Sequence, residues 1–211
     1  MSGVPYASGI GSIMYAMICT KLDVPYALSV SRSYQSDPRL AHWTAVKNIL
    51  KYLKRTKDRL LVYVGDEELI VNGYTDASFI TDINDYKSLS RCVYTLNGDA
   101  VVWKSFKQNI VSNSTTKAEY IATSETLKEA VWIKKFLEEV GVVPSAMNLM
   151  ALCCDNSGAI AQAEEPRSHM KTRHIDHKYH IIRQYVEKGF VKVLKVHTGL
   201  NVSDPMTKAL P

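Results

Sequence analysis

Four acidic residues stand at positions that the packing of a folded chain does not by itself explain. Asp76 interrupts "VNGYTDASF", a stretch that otherwise has the character of a β-strand, and strand interiors are depleted in Asp. Either the strand ends there and Asp76 belongs to a turn, or a bound group such as a metal ion compensates its charge. Glu119, Asp155 and Asp204 lie at one helix start, one strand end and a second helix start. A mixed sheet can bring such positions together.

Each of the other three acids also has an ordinary structural explanation. Glu119 falls at the border of the apolar arc of a long helix and can lean toward a sheet, but acids near a helix N-terminus are also favoured by the helix dipole. Glu125 and Glu129 lie in the same arc, so the projection does not select Glu119. Asp155 ends the apolar strand "LMALCCD", where ligand groups gather in parallel sheets, yet "DNSG" is also typical of a helix N-cap. Asp204, followed by a proline, is an N-cap candidate as well.

The front of the chain, residues 1 to about 57, is predicted to be helical. In "SDPRLAHWTAVKNILKYLKRTKD", Asp37 is a natural N-cap and Pro38 suits the first helical position. An apolar stripe at helical spacing contains Trp43, Val46, Leu50 and Leu53. Basic residues fall mainly on the opposite side of this helix: Lys47, Lys51, Lys54, Arg55 and Lys57. We expect one face to pack and the other to form a basic ridge.

The rest of the chain alternates strands and helices. "RLLVYV", "LIVNGYTDASF" and a hairpin with the turn signal Asn97-Gly98 predict antiparallel strands. A long helix from about residue 113 ends at Gly141, and the strands "LMALCCD" and "FVKVLKV" are separated by helices. "SDPMTKAL" predicts a last helix. The expected fold is α/β, a mixed sheet of three antiparallel strands followed by parallel strands with flanking helices. We place a small helical segment at residues 1–64 and the sheet domain at 65–211.

Composition sets broad limits on the function. The 211 residues are 46% hydrophobic and 22% charged, which is ordinary for a globular chain with a real core. No apolar run approaches a membrane span, and no secretory signal pattern opens the chain, so we expect cytosolic or nuclear residence. The four cysteines lack zinc spacing and are interpreted as reduced, buried thiols. Residues 1–64 hold nine Lys or Arg against three Asp, whereas the remainder holds 17 basic and 18 acidic residues. Such a basic front indicates contact with an anionic partner, although a solvated lysine-rich face would look the same.

Five motifs in register carry a resemblance to a known family: "GYTDAS", "STTKAEYIA", "CDNSGAIA", "HIDHKYHIIR" and "NVSDPMTKAL". In this order and spacing they resemble the ribonuclease H domain of copia-class retrotransposon Pol polyproteins. The front, with "GSIMYAMICT", "LDVPYALS" and "HWTAVKNILKYLKRT", resembles the end of the reverse transcriptase in the same polyproteins. The resemblance covers nearly the whole chain.

The resemblance implies a ribonuclease H-like fold in which Asp76, Glu119, Asp155 and Asp204 bind two Mg²⁺ ions, with Mn²⁺ possible. It implies a Mg²⁺-dependent endonuclease that hydrolyses the RNA strand of RNA/DNA hybrids. It also implies the polymerase portion of the same polyprotein as a partner, no membrane, and residence in a cytoplasmic virus-like particle or the nucleus. His197 matches a loop histidine near the scissile phosphate. Groups at helix starts that could hold phosphates or 2′-OH groups are Ser114, Thr115 and Asn156.

Departures from the family pattern leave a second hypothesis open, a decayed or domesticated remnant that binds nucleic acid and does no chemistry, although the presence of all four acids argues for the enzyme. Lys117 and Arg91 stand where the pattern has an acid and a glycine, and the paired aspartates of a polymerase are missing. The basic ridge, with Lys47, Lys51 and Lys54, would grip the nucleic acid under either hypothesis. A further cluster consists of three histidines and one acid: His174, Asp176, His177 and His180. It suggests a metal site, but no further ligand completes a zinc shell. We expect these residues to be the polar flank of a packed helix.

Overall fold

The computed structural model describes residues 3–64, 69–82, 85–141, 149–164 and 177–204. These residues divide into two compact units, one up to Tyr63 and one from Val64 onward. The α-helices are α1 (Tyr6–Thr20), α2 (Pro25–Ser33), α3 (Leu40–Arg55), α4 (Thr115–Val140), α5 (Ser157–Glu164) and α6 (Ile181–Glu187). The strands are β1 (Val71–Asp82), β2 (Lys87–Leu96), β3 (Asp99–Lys107), β4 (Met150–Cys154) and β5 (Val191–Lys195). None of the described helices combines the length and apolar character that a membrane span requires.

The first unit is a cluster of three helices around a small apolar core. Its buried side chains include Tyr6, Ile10, Ile13, Val24, Leu28, Val46 and Ile49. The Tyr6 hydroxyl donates to the Ser31 carbonyl at 2.7 Å and so ties α1 to α2. The helices of this unit therefore pack by one face each, as the sequence predicts.

Several details of the front differ from the sequence prediction. Helix α3 begins at Leu40 rather than after Asp37, with Arg39 as its N-cap residue, and the backbone N–H of Arg39 donates to His42 Nδ1 at 3.1 Å. Leu50 was predicted to be part of the apolar stripe but is exposed, and its neighbour Ile49 is buried instead. Trp43, Val46 and Leu53 contact the apolar core as predicted, so the stripe differs from the prediction only in that Ile49 takes the place of Leu50.

The predicted first strand is wrong, and the prediction of buried cysteines holds for only two of the four. The segment 59–64, "RLLVYV", forms no strand, and its apolar side chains are exposed except for the half-buried Leu61. Its Val64 N–H donates to the Asp99 carboxylate at 2.9 Å and takes no place in a ladder. Cys19 is exposed and Cys153 only half-buried, whereas Cys92 and Cys154 are buried thiols as expected.

The second unit is built on a five-stranded sheet in the order β3-β2-β1-β4-β5. Strands β1, β2 and β3 pair antiparallel, and β4 pairs parallel with both β1 and β5. Asn97 and Gly98, both with positive φ, make the tight β2–β3 turn that their sequence predicts. The predicted mixed sheet with flanking helices is confirmed, and β1 is its central strand.

Helix α4 packs on one face of this sheet through a largely buried N-terminal half. It begins after the cap residue Ser114, whose hydroxyl accepts from the Lys117 N–H at 3.2 Å, and ends at Gly141 in the left-handed conformation (φ 70°). Gly73 on β1 gives Tyr94 room, because a Cβ at Gly73 would lie 2.6 Å from the Tyr94 ring. The Tyr94 hydroxyl can therefore reach α4, where it donates to the Thr126 carbonyl at 2.6 Å.

Candidate active site

The four predicted acids come from four separate segments of the second unit. Asp76 lies in the middle of β1, Glu119 in the second turn of α4, and Asp155 immediately after β4. Because β1 and β4 run parallel, their carboxyl ends lie at the same edge of the sheet. The segment that ends with Asp204 is tied to the same strand, since the Asn201 side-chain amide donates to the Thr75 carbonyl at 2.9 Å.

Glu119 joins the helix to the sheet at this edge. Its Oε1 accepts a hydrogen bond from the Ala77 N–H at 3.1 Å. Its Oε2 is buried and has no hydrogen-bond partner among the described residues. A carboxylate oxygen of Glu119, a carboxylate oxygen of Asp155 and the Cys154 sulfur all lie within 4.8 Å of one another. Two of the four predicted acids are thus in close contact range.

Asp76 is linked to the other acids by electrostatic repulsion. Burial, followed by the nearby charges of Asp155 and Asp204, raises the pKa of Asp76 from 3.8 to about 6. The charge of Arg91, which pairs with Asp76 across the β1–β2 ladder, and a hydrogen bond from the Ala77 backbone act in the opposite direction. Burial and then the charge of Asp76 raise the pKa of Glu119 from 4.5 to about 9. The charges of Asp155 and Asp204 therefore disfavour the ionised form of Asp76, and the charge of Asp76 disfavours that of Glu119.

Asp155 is left outside the helix cap that its sequence context suggested. The cap of α5 is Asn156, whose Oδ1 accepts from the Ala159 N–H at 3.0 Å. The backbone carbonyl of Asp155 accepts from Lys195 Nζ at 2.6 Å, which fixes the strand end. The Asp155 carboxylate is therefore available to the acid cluster and is not consumed by the helix start.

The donor set fits a hard divalent cation. Its oxygen donors are carboxylates, the ligands that Mg²⁺ and Mn²⁺ prefer, held on a rigid sheet and the helix packed against it, with the Cys154 sulfur beside them. The unpartnered Oε2 of Glu119 would gain an interaction, and the mutual repulsion that raises the pKa of Asp76 and Glu119 would be relieved.

The structure distinguishes Glu119 from the two other acids in the same helical arc. Glu125 accepts from Lys128 within α4 at 2.8 Å, and Glu129 pairs with Lys104 on β3 at 2.6 Å. Each of these acids therefore has a cation of its own, whereas Glu119 faces the sheet edge with the other carboxylates.

The remaining predicted site residues are exposed or half-buried. His197 is exposed, and its Nδ1 accepts from the Gly199 N–H at 3.1 Å at the start of a short 3-10 turn. Ser114 and Thr115 are exposed at the start of α4, and Asn156 is half-buried beside Asp155. All three lysines of the basic ridge are exposed on α3 in the first unit: Lys47, Lys51 and Lys54.

The histidine cluster is only partly within the described residues. His174 and Asp176 lie outside them, as do the side chain of His177 and the predicted last helix after Asp204. His180 Nδ1 lies 3.0 Å from the Tyr120 hydroxyl, an ordinary packing contact between α6's N-cap and α4.

Three residues near the acids were not identified from the sequence. Cys154 contributes its sulfur to the cluster, and Arg91 is fully buried opposite Asp76. Lys195 Nζ contacts Asp155 and also the Ser157 hydroxyl at 2.6 Å. Lys195 could have been found, since it ends a strand that neighbours β4 in parallel and must lie at the same sheet edge. Cys154 could also have been found, since it directly precedes Asp155, whereas the position of Arg91 depends on the β1–β2 register.

The raised pKa of Asp76 predicts how the stability of the metal-free protein depends on pH. An acid with a raised folded-state pKa stabilises the fold below its unfolded pKa, and that stability is lost as pH rises through the folded pKa. In EDTA we therefore expect the melting temperature of wild type to fall, relative to Asp76→Asn, between about pH 4 and about pH 6. The difference corresponds to free energy on the order of 3 kcal/mol. Parallel melting curves for the two proteins from pH 4 to 8 would contradict this.

Comparisons with known proteins place the chain among transposon proteins. It is 42% identical over 211 residues to the retrovirus-related Pol polyprotein of transposon TNT 1-94 from Nicotiana tabacum, with 100% of this chain and 16% of that protein covered. It is 33% identical over 205 residues to the Pol polyprotein of transposon RE2 from Arabidopsis thaliana, with 97% of this chain and 14% of that protein covered. The chain thus spans about a sixth of these relatives' length. No protein-family model matches it.

Two further similarities are to a shorter protein that matches part of this chain and to a solved structure. A secreted RxLR effector protein from Plasmopara viticola is 40% identical over 133 residues, with 63% of this chain and 94% of that protein covered. Among solved structures, the N-terminal RNase H domain of a Mycobacterium tuberculosis protein matches 66% of this chain and 91% of its own, at 14% identity and a TM-score of 0.43. At that score the match adds nothing to the architecture, which the strand order and pairing establish directly.

Proposed function

Since the chain belongs to the family of copia-type retrotransposon Pol polyproteins, we propose that its second unit is a divalent-metal-dependent ribonuclease H. It would hydrolyse the RNA strand of RNA/DNA hybrids and act beside the polymerase portion of the same polyprotein. The observation that carries the proposal is the meeting of two buried carboxylates, from a central strand and a helix, with a half-buried carboxylate from a strand end at one sheet edge. Structural acids are normally exposed or individually paired, whereas Glu119 is buried and its Oε2 has no hydrogen-bond partner among the described residues.

Four residues would hold the metal: Asp76, Glu119, Asp155 and Asp204. Two Mg²⁺ or Mn²⁺ ions bound there would stabilise the negative charge on the attacking and leaving oxygens of a phosphodiester. In-line attack of water on phosphorus would break the P–O3′ bond and leave 5′-phosphate and 3′-OH ends. The exposed imidazole of His197, in the loop before Asp204, would be the candidate for proton transfer, a common role of histidine in catalysis.

Substrate positioning would fall to polar groups at the two helix starts beside the acids. Thr116 and Gly158 are in close contact, so the starts of α4 and α5 are neighbours. The exposed hydroxyls of Ser114 and Thr115, together with Asn156, could orient phosphates and 2′-OH groups of the RNA strand.

The direct test is digestion of an end-labelled RNA/DNA hybrid by the whole chain. We expect cleavage in Mg²⁺ or Mn²⁺ and none in EDTA, with RNA products that carry 5′-phosphates. Complete absence of cleavage in either metal, with a folded protein, would remove the enzymatic proposal.

One observation favours the second candidate, a catalytically silent nucleic-acid-binding module. Arg91 is a fully buried cation at the position paired with Asp76, and its charge lowers the pKa of that acid. Part of the compensation that a metal would supply is therefore built into the fold. A protein that binds the hybrid with the same affinity in Mg²⁺ and EDTA, and cuts it in neither, would be this module.

The basic ridge on α3 predicts salt-dependent binding under both candidates. Replacing Lys47, Lys51 and Lys54 together by Ala should weaken hybrid binding, because each lost phosphate contact reduces the counterions released. The slope of log affinity against log salt should flatten by about one per lost contact, as measured by fluorescence anisotropy in rising KCl. The matched control replaces the same lysines by Arg, which keeps the charge and should keep the slope. If the Ala variant and wild type bind the hybrid with equal affinity at low salt, the basic ridge is only a solvated face and does not contact nucleic acid.

A further inference from the structure

Cys154 places a sulfur atom directly beside two of the carboxylates. It is the last residue of β4 and is fully buried. Its Sγ lies within 4.8 Å of a carboxylate oxygen of Glu119 and of one of Asp155. The Asn156 N–H points at the same sulfur from 3.4 Å, so the thiol is held at the strand end and faces the cluster.

The second observation is the Glu119 carboxylate itself. Glu119 is only 6% exposed, and its buried Oε2 has no hydrogen-bond partner among the described residues. A buried acceptor without a partner costs free energy that a bound cation would recover. An unpartnered oxygen next to a buried sulfur therefore marks a place where a cation fits.

The mixture of donors decides which cations fit best. Mg²⁺ takes oxygen ligands and gains little from sulfur, whereas Zn²⁺ and other thiophilic ions bind sulfur and carboxylate oxygen together. With metal–ligand distances of about 2.0 to 2.3 Å, the donors of a tetrahedral zinc site lie about 3.5 Å apart. The three donor atoms would have to approach by about 1 Å. Asp155 is only half-buried at the end of its strand and can make that movement.

We propose that Glu119, Cys154 and Asp155 form a binding site for thiophilic divalent cations such as Zn²⁺ and Cd²⁺. The sulfur binds as the thiolate, and the displaced thiol proton passes to the solvent without any change of oxidation state. Because Glu119 and Asp155 are also in the proposed Mg²⁺ site, such a cation would inhibit cleavage by occupying them. This second consequence rests on the proposed function, whereas the binding itself does not.

The test is a titration of the metal-free protein with Cd²⁺, followed by the ultraviolet thiolate-to-cadmium charge-transfer band. All variants carry Cys19→Ser, because the exposed Cys19 could bind the ion independently. We expect one equivalent of Cd²⁺ to produce the band in the parent protein and in Cys153→Ser, the matched control one residue earlier on β4. Cys154→Ser should lose the band and bind Zn²⁺ at least about tenfold more weakly by calorimetry, since even outer-shell groups are worth about that much.

Two further variants guard against trivial results. Cys154→Ala, checked by its melting curve, repeats the loss if the serine variant folds poorly. Glu119→Gln keeps the thiol but removes a carboxylate charge, and should weaken Cd²⁺ binding as well. A band that persists in a folded Cys154 variant, or Zn²⁺ affinity that is equal in all variants, would overturn the inference. If the parent protein cuts no hybrid in Mg²⁺ but shows the band, the proposed function fails and this site stands.

Discussion

We expect Asp76→Asn to abolish cleavage of an RNA/DNA hybrid and to raise the melting temperature of the metal-free protein. The substitution removes a metal-binding charge, and a loss of about 4 kcal/mol of transition-state stabilisation lowers the rate about a thousandfold. It also removes a buried carboxylate whose burial and repulsion by Asp155 and Asp204 outweigh the attraction of Arg91. The fold should therefore gain stability where the activity is lost.

The measurement pairs single-turnover digestion in Mg²⁺ with thermal melting in EDTA. Asp82→Asn is the matched control, because Asp82 ends the same strand but pairs with Lys107 at 2.6 Å. That variant should cut normally and gain no stability. Normal cleavage by Asp76→Asn would exclude Asp76 from the metal site, and a lower melting temperature in EDTA would show that its charge is satisfied by the fold.

Discrimination between nucleic acids is the second large effect that we expect. The chain should cut RNA paired with DNA and leave double-stranded DNA intact, because DNA lacks the 2′-OH groups that the helix starts at Ser114 and Asn156 would register. The protein would hold the DNA strand by its phosphates and would not contact the base edges, so cutting should be largely independent of sequence.

Matched RNA/DNA, RNA/RNA and DNA/DNA duplexes of one sequence, digested in parallel with Mg²⁺, provide the measurement. A second hybrid with the base composition reversed controls for sequence preference. Equal cutting of the DNA duplex would identify a general two-metal nuclease and would rule out recognition of the 2′-OH.

The strands and helices of the second unit were largely predictable because their signals are local. Alternation, the Asn97-Gly98 turn and the caps at Ser114 and Gly141 are each contained in a few residues. The segment 59–64 shows the limit of such signals. Its apolar residues have strand character, but a strand exists only when a neighbour completes its hydrogen bonds, and the sequence does not show that none is available.

The acid site was predictable in kind and not in detail. That Asp155 stays out of the α5 cap depends on Asn156 taking that role, and either residue type can do so. What distinguishes the three acids of the α4 arc is the partner of each. Glu125 pairs with Lys128 and Glu129 with Lys104, whereas Glu119 accepts a hydrogen bond from the β1 backbone. Arg91 joins the site through the β1–β2 register, which links residues distant in sequence, whereas Cys154 reaches Glu119 because α4 packs against β4.

The order of the strands has a consequence for when the acidic residues come together during folding. The antiparallel pairs are local, with Val71 opposite Leu96, whereas the parallel pair joins Asn72 to Ala151. Pairs distant in sequence must close a long loop before they gain contacts, so they form slowly. We expect the β1–β2–β3 meander to appear early in refolding and the β1–β4 pairing late. A partly folded chain would therefore already be compact while its acidic residues are still far apart. The ability to bind a metal ion would develop only in the last step of folding.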